Sequence, residues 1–293
     1  MRILLLGHTG QLGWELRRTL APLGEVSALD YPDIDLTQPD SVRGTIREAR
    51  PELIVNATAY TAVDRAEQEP ETALAINGLA PGVMAEEARQ VGAALIHYST
   101  DYVFDGRLGR PYVESDAPHP LGVYGESKLA GERAVQAAGG AYLILRTSWV
   151  YSTRRRNFVL SVLEWARSQT RLRIVSDQAG NPTWARMLAE ASAQLAARGD
   201  LDIAAFLEER GGLYHLAGDG YASRLDWAKA ALRCDPHPEE QVAREIQPAV
   251  SADFPTPAER PLFSALNCDK FADTFGLRLP PWEAALRLAL EAG

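Results

Sequence analysis

Gly7-His8-Thr9-Gly10-Gln11-Leu12-Gly13 decides the fold. It stands between Ile3-Leu4-Leu5-Leu6, short and apolar like a buried strand, and a segment in which Leu12, Leu16 and Leu20 recur at helical spacing. A G-x-x-G-x-x-G turn that leaves a strand and opens a helix suits the pyrophosphate of a dinucleotide. Glycine permits the tight turn and the close approach of backbone N–H groups, and the helix N-terminus favours the anion. Gly7, Gly10, Gln11, Leu12 and Gly13 are therefore the first candidate cofactor residues. An ordinary glycine turn is the alternative, and the position directly after the first strand argues against it.

Strand and helix alternate downstream. Val26–Leu29, Leu53–Val55, Ala94–Tyr98 and Tyr142–Leu145 read as strands, and Glu71–Gln90 and Tyr124–Ala138 as helices. The strands are almost wholly apolar, as strands covered on both faces are. Residues 1–150 are therefore expected to form a Rossmann-type, doubly wound parallel α/β sheet that binds a dinucleotide. After Thr147 the texture changes. Helical patterns at Phe158–Ser168 and Ala185–Ala197 flank the run Leu172–Val175, prolines gather at Pro248, Pro255, Pro257 and Pro261, and Trp282–Ala292 reads as a last helix. Residues 151–293 are expected to form mainly a smaller substrate-binding domain, interleaved with the sheet.

Further cofactor contacts follow from position. Asp30 closes the second strand, where an acid accepts hydrogen bonds from the ribose hydroxyls and repels a 2′-phosphate, favouring NADH. Arg17 and Arg18 in the first helix can instead accommodate the phosphate of NADPH, or are solvated helix charges. Asp35 and Leu36 suit the adenine side, and Ala57, Thr58 and Ala59, after the third strand, offer small residues where a cofactor crosses the sheet edge.

The chemistry is expected in two places. Tyr98-Ser99-Thr100-Asp101 ends the fourth strand, and reacting groups collect at the carboxyl ends of such strands. A Thr100 hydroxyl there can hold a substrate carbonyl for hydride attack, although a strand-capping turn has the same composition. Tyr124 and Lys128 are four residues apart in a helical stretch, so they share one face. A free phenol titrates near ~10, and an adjacent ammonium makes it a usable general acid or base.

Composition narrows the class. The 293 residues carry a formal net charge of -9, which argues against nucleic acid and membrane surfaces as partners because both require a basic face. Cys234 and Cys268 form no C-x-x-C pair and read as reduced thiols. No apolar stretch has the length of a signal-peptide core or a bilayer span, so a cytoplasmic protein is expected.

Five blocks carry a resemblance: 7–16, 55–64, 98–106, 123–132 and 146–151, with Gly180-Asn181-Pro182-Thr183 as a further match. Over nearly its whole length the chain resembles the extended short-chain dehydrogenase/reductase superfamily, and within it the dTDP-4-dehydrorhamnose reductase family. The resemblance implies NADH or NADPH as cofactor, a nucleotide-sugar substrate, and reduction of the C4 ketone of dTDP-4-dehydro-β-L-rhamnose. It implies Tyr124 as proton donor, Lys128 holding the nicotinamide ribose and lowering the pKa of Tyr124, Thr100 orienting the carbonyl and Asp101 contacting the sugar. Trp149 would pack the deoxysugar or fill the core; Tyr98 would stack near the nicotinamide or fill the core. Some members bind magnesium at a dimer contact through a glutamate like Glu15 and an acid after the Pro-Thr pair. Arg186 stands at that place here, so no metal is expected, and the chain is read as a monomer or homodimer. Arg260 is a candidate nucleotide contact. Arg154-Arg155-Arg156 steers an anionic substrate or is an exposed loop cluster. Two other readings share the motifs: a reductase or epimerase of another nucleotide sugar, and a non-catalytic subunit like the β subunit of methionine adenosyltransferase.

Overall fold

The computed structural model describes residues 1–199 and 202–291. Its central sheet has six parallel strands: β1 (Arg2–Leu6), β2 (Glu25–Leu29), β3 (Leu53–Asn56), β4 (Ala94–Thr100), β5 (Tyr142–Thr147) and β6 (Gly212–His215). Their spatial order is 2-1-3-4-5-6. The winding reverses between β1 and β3, and a doubly wound sheet offers its ligand crevice at that switch. Register aligns the edge: Leu6 pairs with Leu29 and Asn56, Asn56 with His97, and Thr100 with Thr147.

The helices used below are α1 (Gln11–Thr19), α2 (Pro39–Ala49), α3 (Ala80–Val91), α4 (Val123–Ala138), α5 (Phe158–Ser168), α6 (Ala185–Arg198), α7 (Ile203–Arg210), α8 (Arg224–Arg233), α9 (Asp269–Phe275) and α10 (Trp282–Glu291). Alternate strand residues feed opposite faces. Ile3, Leu5, Val55 and Leu145 pack with Leu16 of α1, Leu188 and Leu195 of α6, Leu207 of α7 and Phe271 of α9. Leu4, Leu6, Ile54 and Ile144 pack with Val42 and Ile46 of α2, Val83 and Met84 of α3 and Val135 of α4. Both faces are dry, which explains the apolar strands. A separate core joins Tyr151, Val162 of α5, Leu172, Ile174, Trp227 of α8 and Leu286 of α10. The chain thus crosses between the layers several times, with α6, α7, β6 and α9 returning to the sheet.

The helix expected over Glu71–Gln90 is built in three parts: Pro70–Leu74, a wide π turn at Ala75–Leu79, and α3. Pro81 has no N–H to donate to the carbonyl four residues earlier, which favours a local departure from α geometry. The wide turn has a use. Asn77 within it is 1% exposed, accepts from Tyr60 N (2.8 Å), and donates to Tyr60 O (3.1 Å) and Ser127 Oγ (3.0 Å), tying the loop after β3 to α4. Helices α2 and α7 lie where the sequence reading places no element, and β6, α8 and α9 lie beyond Gly212, where it gives only short elements without bounds. These helices are short; α2 is amphipathic, but only Val42 and Ile46 mark its buried face, while in α7 and α8 alanine and charge dilute the pattern. The expected end of α10, Ala292, lies outside the described residues.

Candidate active site

A cleft of about 1700 Å³ runs along the carboxyl edge of the sheet. Of the residues proposed from sequence, Gly7, Gly10, Gln11, Leu12, Asp30, Asp35, Leu36, Ala57, Thr58, Ala59, Tyr98, Thr100, Asp101, Tyr124, Lys128 and Trp149 line it. Gly13 does not. It is buried beneath the turn, where an added Cβ would sit 2.0 Å from Gly7 O. Gly7 itself has φ +86°, a conformation that L side chains rarely adopt. Gly10, at the N-cap of α1, supplies no side chain to cap the helix, which leaves the helix N-terminus facing the cleft. A dinucleotide's pyrophosphate fits this cradle.

Beside the turn the Asp30 carboxylate accepts from Thr9 N (3.2 Å) and Thr9 Oγ1 (2.6 Å), and Asp35 accepts from Thr37 N (2.9 Å) and Thr37 Oγ1 (2.7 Å). These bonds hold the Asp35 carboxyl below its ordinary pKa. Arg18 is turned away, its guanidinium 3.5 Å over the Trp14 ring, and neither Arg17 nor Arg18 lines the cleft. Arg154 stacks on the same Trp14 ring at 3.5 Å, while the exposed Arg155 and Arg156 face the cleft.

The candidate reactive residues meet where β4 adjoins α4. Gly122 caps α4, whose first N–H bonds to Glu67 Oε1 (2.9 Å), and a Cβ on Gly125 would lie 2.3 Å from Tyr102 O. Only glycine allows this approach, which brings Tyr124 against the end of β4. Burial pushes the Tyr124 phenol above its usual value, and a hydrogen bond with the Thr100 hydroxyl works against that rise. The Lys128 ammonium, on the same helix one turn from Tyr124, bonds to Tyr98 O (2.6 Å) and lies 3.4 Å from His97 Nε2. Burial brings Lys128 down to about 8, with Glu132 opposing. Tyr98 belongs to the sheet core, and its hydroxyl donates to Ser192 Oγ on α6 (2.6 Å). Its main-chain carbonyl is what serves the site.

Asp101 is 2% exposed and accepts from Ser264, from Ser148 (3.0 Å) and from Thr100 (3.2 Å). Burial nonetheless raises it to about 6. These bonds join β4, the end of β5 and the segment after Arg260. Asn181 does the same for the Gly180-Asn181-Pro182-Thr183 motif, bonding Gly220 O (2.8 Å), Leu266 O (3.2 Å) and Leu266 N (2.7 Å).

Trp149, with φ +45°, stacks on Trp227 at 5.4 Å, and Gly180 leaves it room. Over its ring, at 3.8 Å, lies Arg224, the first residue of α8. Arg224 is partly buried, lines the cleft, and has no carboxylate in salt-bridge contact among the described residues. Burial lowers its pKa, with Tyr102 and Asp101 holding the charge in place. Sequence reasoning missed Arg224, because a lone arginine opening a short helix carries no pattern. Arg260 also lines the cleft, paired to Asp64 at 2.8 Å, as does Arg173, paired to Asp253 at 2.7 Å. Arg186 bonds Glu190 (2.9 Å) and feels Glu15.

The profile of the RmlD substrate binding domain family matches residues 1–293. The dTDP-4-dehydrorhamnose reductase of Escherichia coli (strain K12) is 42% identical over 295 residues, 99% of this chain and 97% of that protein. The chain belongs to the dTDP-4-dehydrorhamnose reductase family. A crystal structure of such a reductase from Clostridium acetobutylicum superposes with a TM-score of 0.90 at 32% identity, covering 100% of this chain and 99% of that one. The family member from Bacillus anthracis, solved in complex with NADP, gives 0.89 at 30% identity, covering 100% and 99%. None of the described helices is long and apolar enough to cross a membrane.

Proposed function

We propose that this family member reduces the C4 ketone of dTDP-4-dehydro-β-L-rhamnose to dTDP-L-rhamnose with NADH or NADPH. The observation that carries the reading is the junction of Thr100, Tyr124 and Lys128 in a cleft that runs from the glycine turn to the Trp149–Arg224 stack. Bound NAD(P)H supplies the hydride. The Thr100 hydroxyl, in contact with the phenol, aims the substrate carbonyl, and Tyr124 gives its proton to the new C4 oxygen. Lys128 holds the nicotinamide ribose, and its charge stabilises the phenolate left behind. Asp101 keeps Thr100 in place and contacts the sugar. Trp149 offers an apolar face to a ring lacking its 6-hydroxyl.

Residues 151–293 supply most of the substrate side. The diphosphate is assigned to Arg224, with Arg260 and the Arg155–Arg156 pair as further positive charge. The partner is thus a small anionic nucleotide sugar and not nucleic acid. The protein acts in the cytoplasm as a monomer or homodimer, with no metal where Arg186 stands. An intact proton donor speaks for catalysis over a purely regulatory role.

The test is oxidation of NADH and NADPH, followed by absorbance, with enzymically generated dTDP-4-dehydro-β-L-rhamnose and identification of the product. Turnover to dTDP-L-rhamnose is expected, and Tyr124→Phe should lower kcat by ~10²–10⁴ while still binding cofactor. A folded, cofactor-binding protein that does not oxidise either nucleotide with this sugar refutes the reading.

A further inference from the structure

Beneath Lys128 lies a buried polar chain that the reaction as described does not use. Asn56, at the end of β3, is 1% exposed; His97, beside it in β4, is 0% exposed. Asn56 Oδ1 accepts from the backbone N–H of Thr58 at 3.1 Å and from Thr58 Oγ1 at 2.5 Å. A backbone N–H can only donate, so the amide oxygen must face Thr58 and Nδ2 must face His97. Asn56 Nδ2 is 3.0 Å from His97 Nδ1. Nδ1 therefore offers its lone pair, and the ring hydrogen of a neutral imidazole falls to Nε2. Burial and the neighbouring ammonium keep the ring neutral.

Nε2–H thus points at Lys128 Nζ, 3.4 Å away, as a donor facing a donor. An ammonium has three hydrogens and no acceptor site. One goes to Tyr98 O at 2.6 Å. His97 cannot take a second. The charged and titratable groups facing Lys128 are Tyr124 and Glu132 on its own helix and His97 on β4. Glu132 is itself committed to Arg146 (2.6 Å) and Ser99 (2.5 Å).

We propose that His97, locked as its Nε2–H tautomer by Asn56, is a positioning residue for Lys128: it withholds an acceptor from the ammonium and so reserves two of its hydrogens for the ligand in the cleft. A histidine of the other tautomer would bind one of those hydrogens from below, and the ribose hydroxyls would have to compete for it. The chain Thr58–Asn56–His97–Lys128 transmits the polarity of a fixed backbone N–H to the centre of the site. The inference rests on reading Lys128 as the group that meets the nicotinamide ribose.

The first measurement needs neither substrate nor variant: the ¹⁵N and ¹H resonances of His97 in the free protein. A protonated Nε2 and bare Nδ1 are expected, and a protonated Nδ1 overturns the proposal. The second is nucleotide affinity, read by fluorescence, in three variants. In Asn56→Asp the carboxylate accepts from both Thr58 and the ring, moving the hydrogen to Nδ1 and making Nε2 an acceptor for Lys128. NADPH affinity should fall about tenfold, the worth of one charge-assisted hydrogen bond. His97→Gln, whose carbonyl can face Asn56 and whose NH₂ can face Lys128, should retain the wild-type value. Lys128→Met separates the two readings: weakened binding there with Asn56→Asp unchanged overturns the role of His97 alone. Unchanged binding in Lys128→Met overturns the reading of Lys128 and this proposal with it.

Discussion

Gly13→Ala tests whether the first turn works by shape. An alanine in a helix interior is ordinarily favoured over glycine by about 1 kcal/mol. Here the new Cβ would meet Gly7 O at 2.0 Å, Gly7 C at 2.7 Å and the His8 Cα at 2.8 Å, all backbone, so nothing can swing aside. The turn must lift from α1, and overpacking of this kind costs ~1–3 kcal/mol, which exceeds the helix gain. The displaced atoms are those that position the cleft-facing N–H groups, so cofactor binding should lose a similar amount, ~10–100-fold in Kd. Gly10→Ala is the contrast. Its Cβ would make one contact, 3.4 Å from Gly7 O, so stability should stay within ~0.5 kcal/mol, while the methyl enters the cleft and still weakens binding. Titration of NADH and NADPH by fluorescence, alongside urea unfolding, reads both quantities. Wild-type affinity and stability in Gly13→Ala would refute the claim that Gly13 is there for helix–strand closeness.

Three further predictions follow from the same geometry. Arg224→Gln should raise KM for the nucleotide sugar ~10–100-fold, the worth of one or two hydrogen bonds to charge, and affect kcat less; steady-state kinetics separate the two. Lys128 stands at about 8 in the fold against 10.5 when free, so turnover should decline as pH rises through about 8 and the ammonium is lost. Stability runs the other way: between those values the unfolded chain binds more protons, so unfolding free energy should rise with pH there, and the rise should vanish in Lys128→Met. Arg146→Met leaves the Glu132 carboxylate, 2% exposed, without its bidentate partner at 2.6 and 2.8 Å, and should cost ~3–5 kcal/mol in urea unfolding.

The blocks to which the chemistry is assigned were legible because their reasons are local. A strand end, a glycine turn and a helix start are contiguous in sequence, and Tyr124 and Lys128 share a face by helical period alone. Thr100 and Asp101 follow from the rule that strands present their carboxyl ends. The sequence by itself therefore determined the sheet, the glycine turn at its edge and the shared face of Tyr124 and Lys128. It did not determine how distant segments meet. Arg224, Arg173 and Arg260 reach the cleft only because the chain leaves the sheet and returns, and neither a lone arginine nor its neighbours signal that path. The break at Ala75–Leu79 depended on Pro81 meeting an Asn77 that α4 needs buried. The direction of the Lys128 ammonium depended on Tyr98 O, set by the pleat of β4, and on His97, whose proton is placed by Asn56 one strand away. Hydrogen-bond direction inside a dry core is a property of every partner at once, and only the tertiary structure brings those partners together.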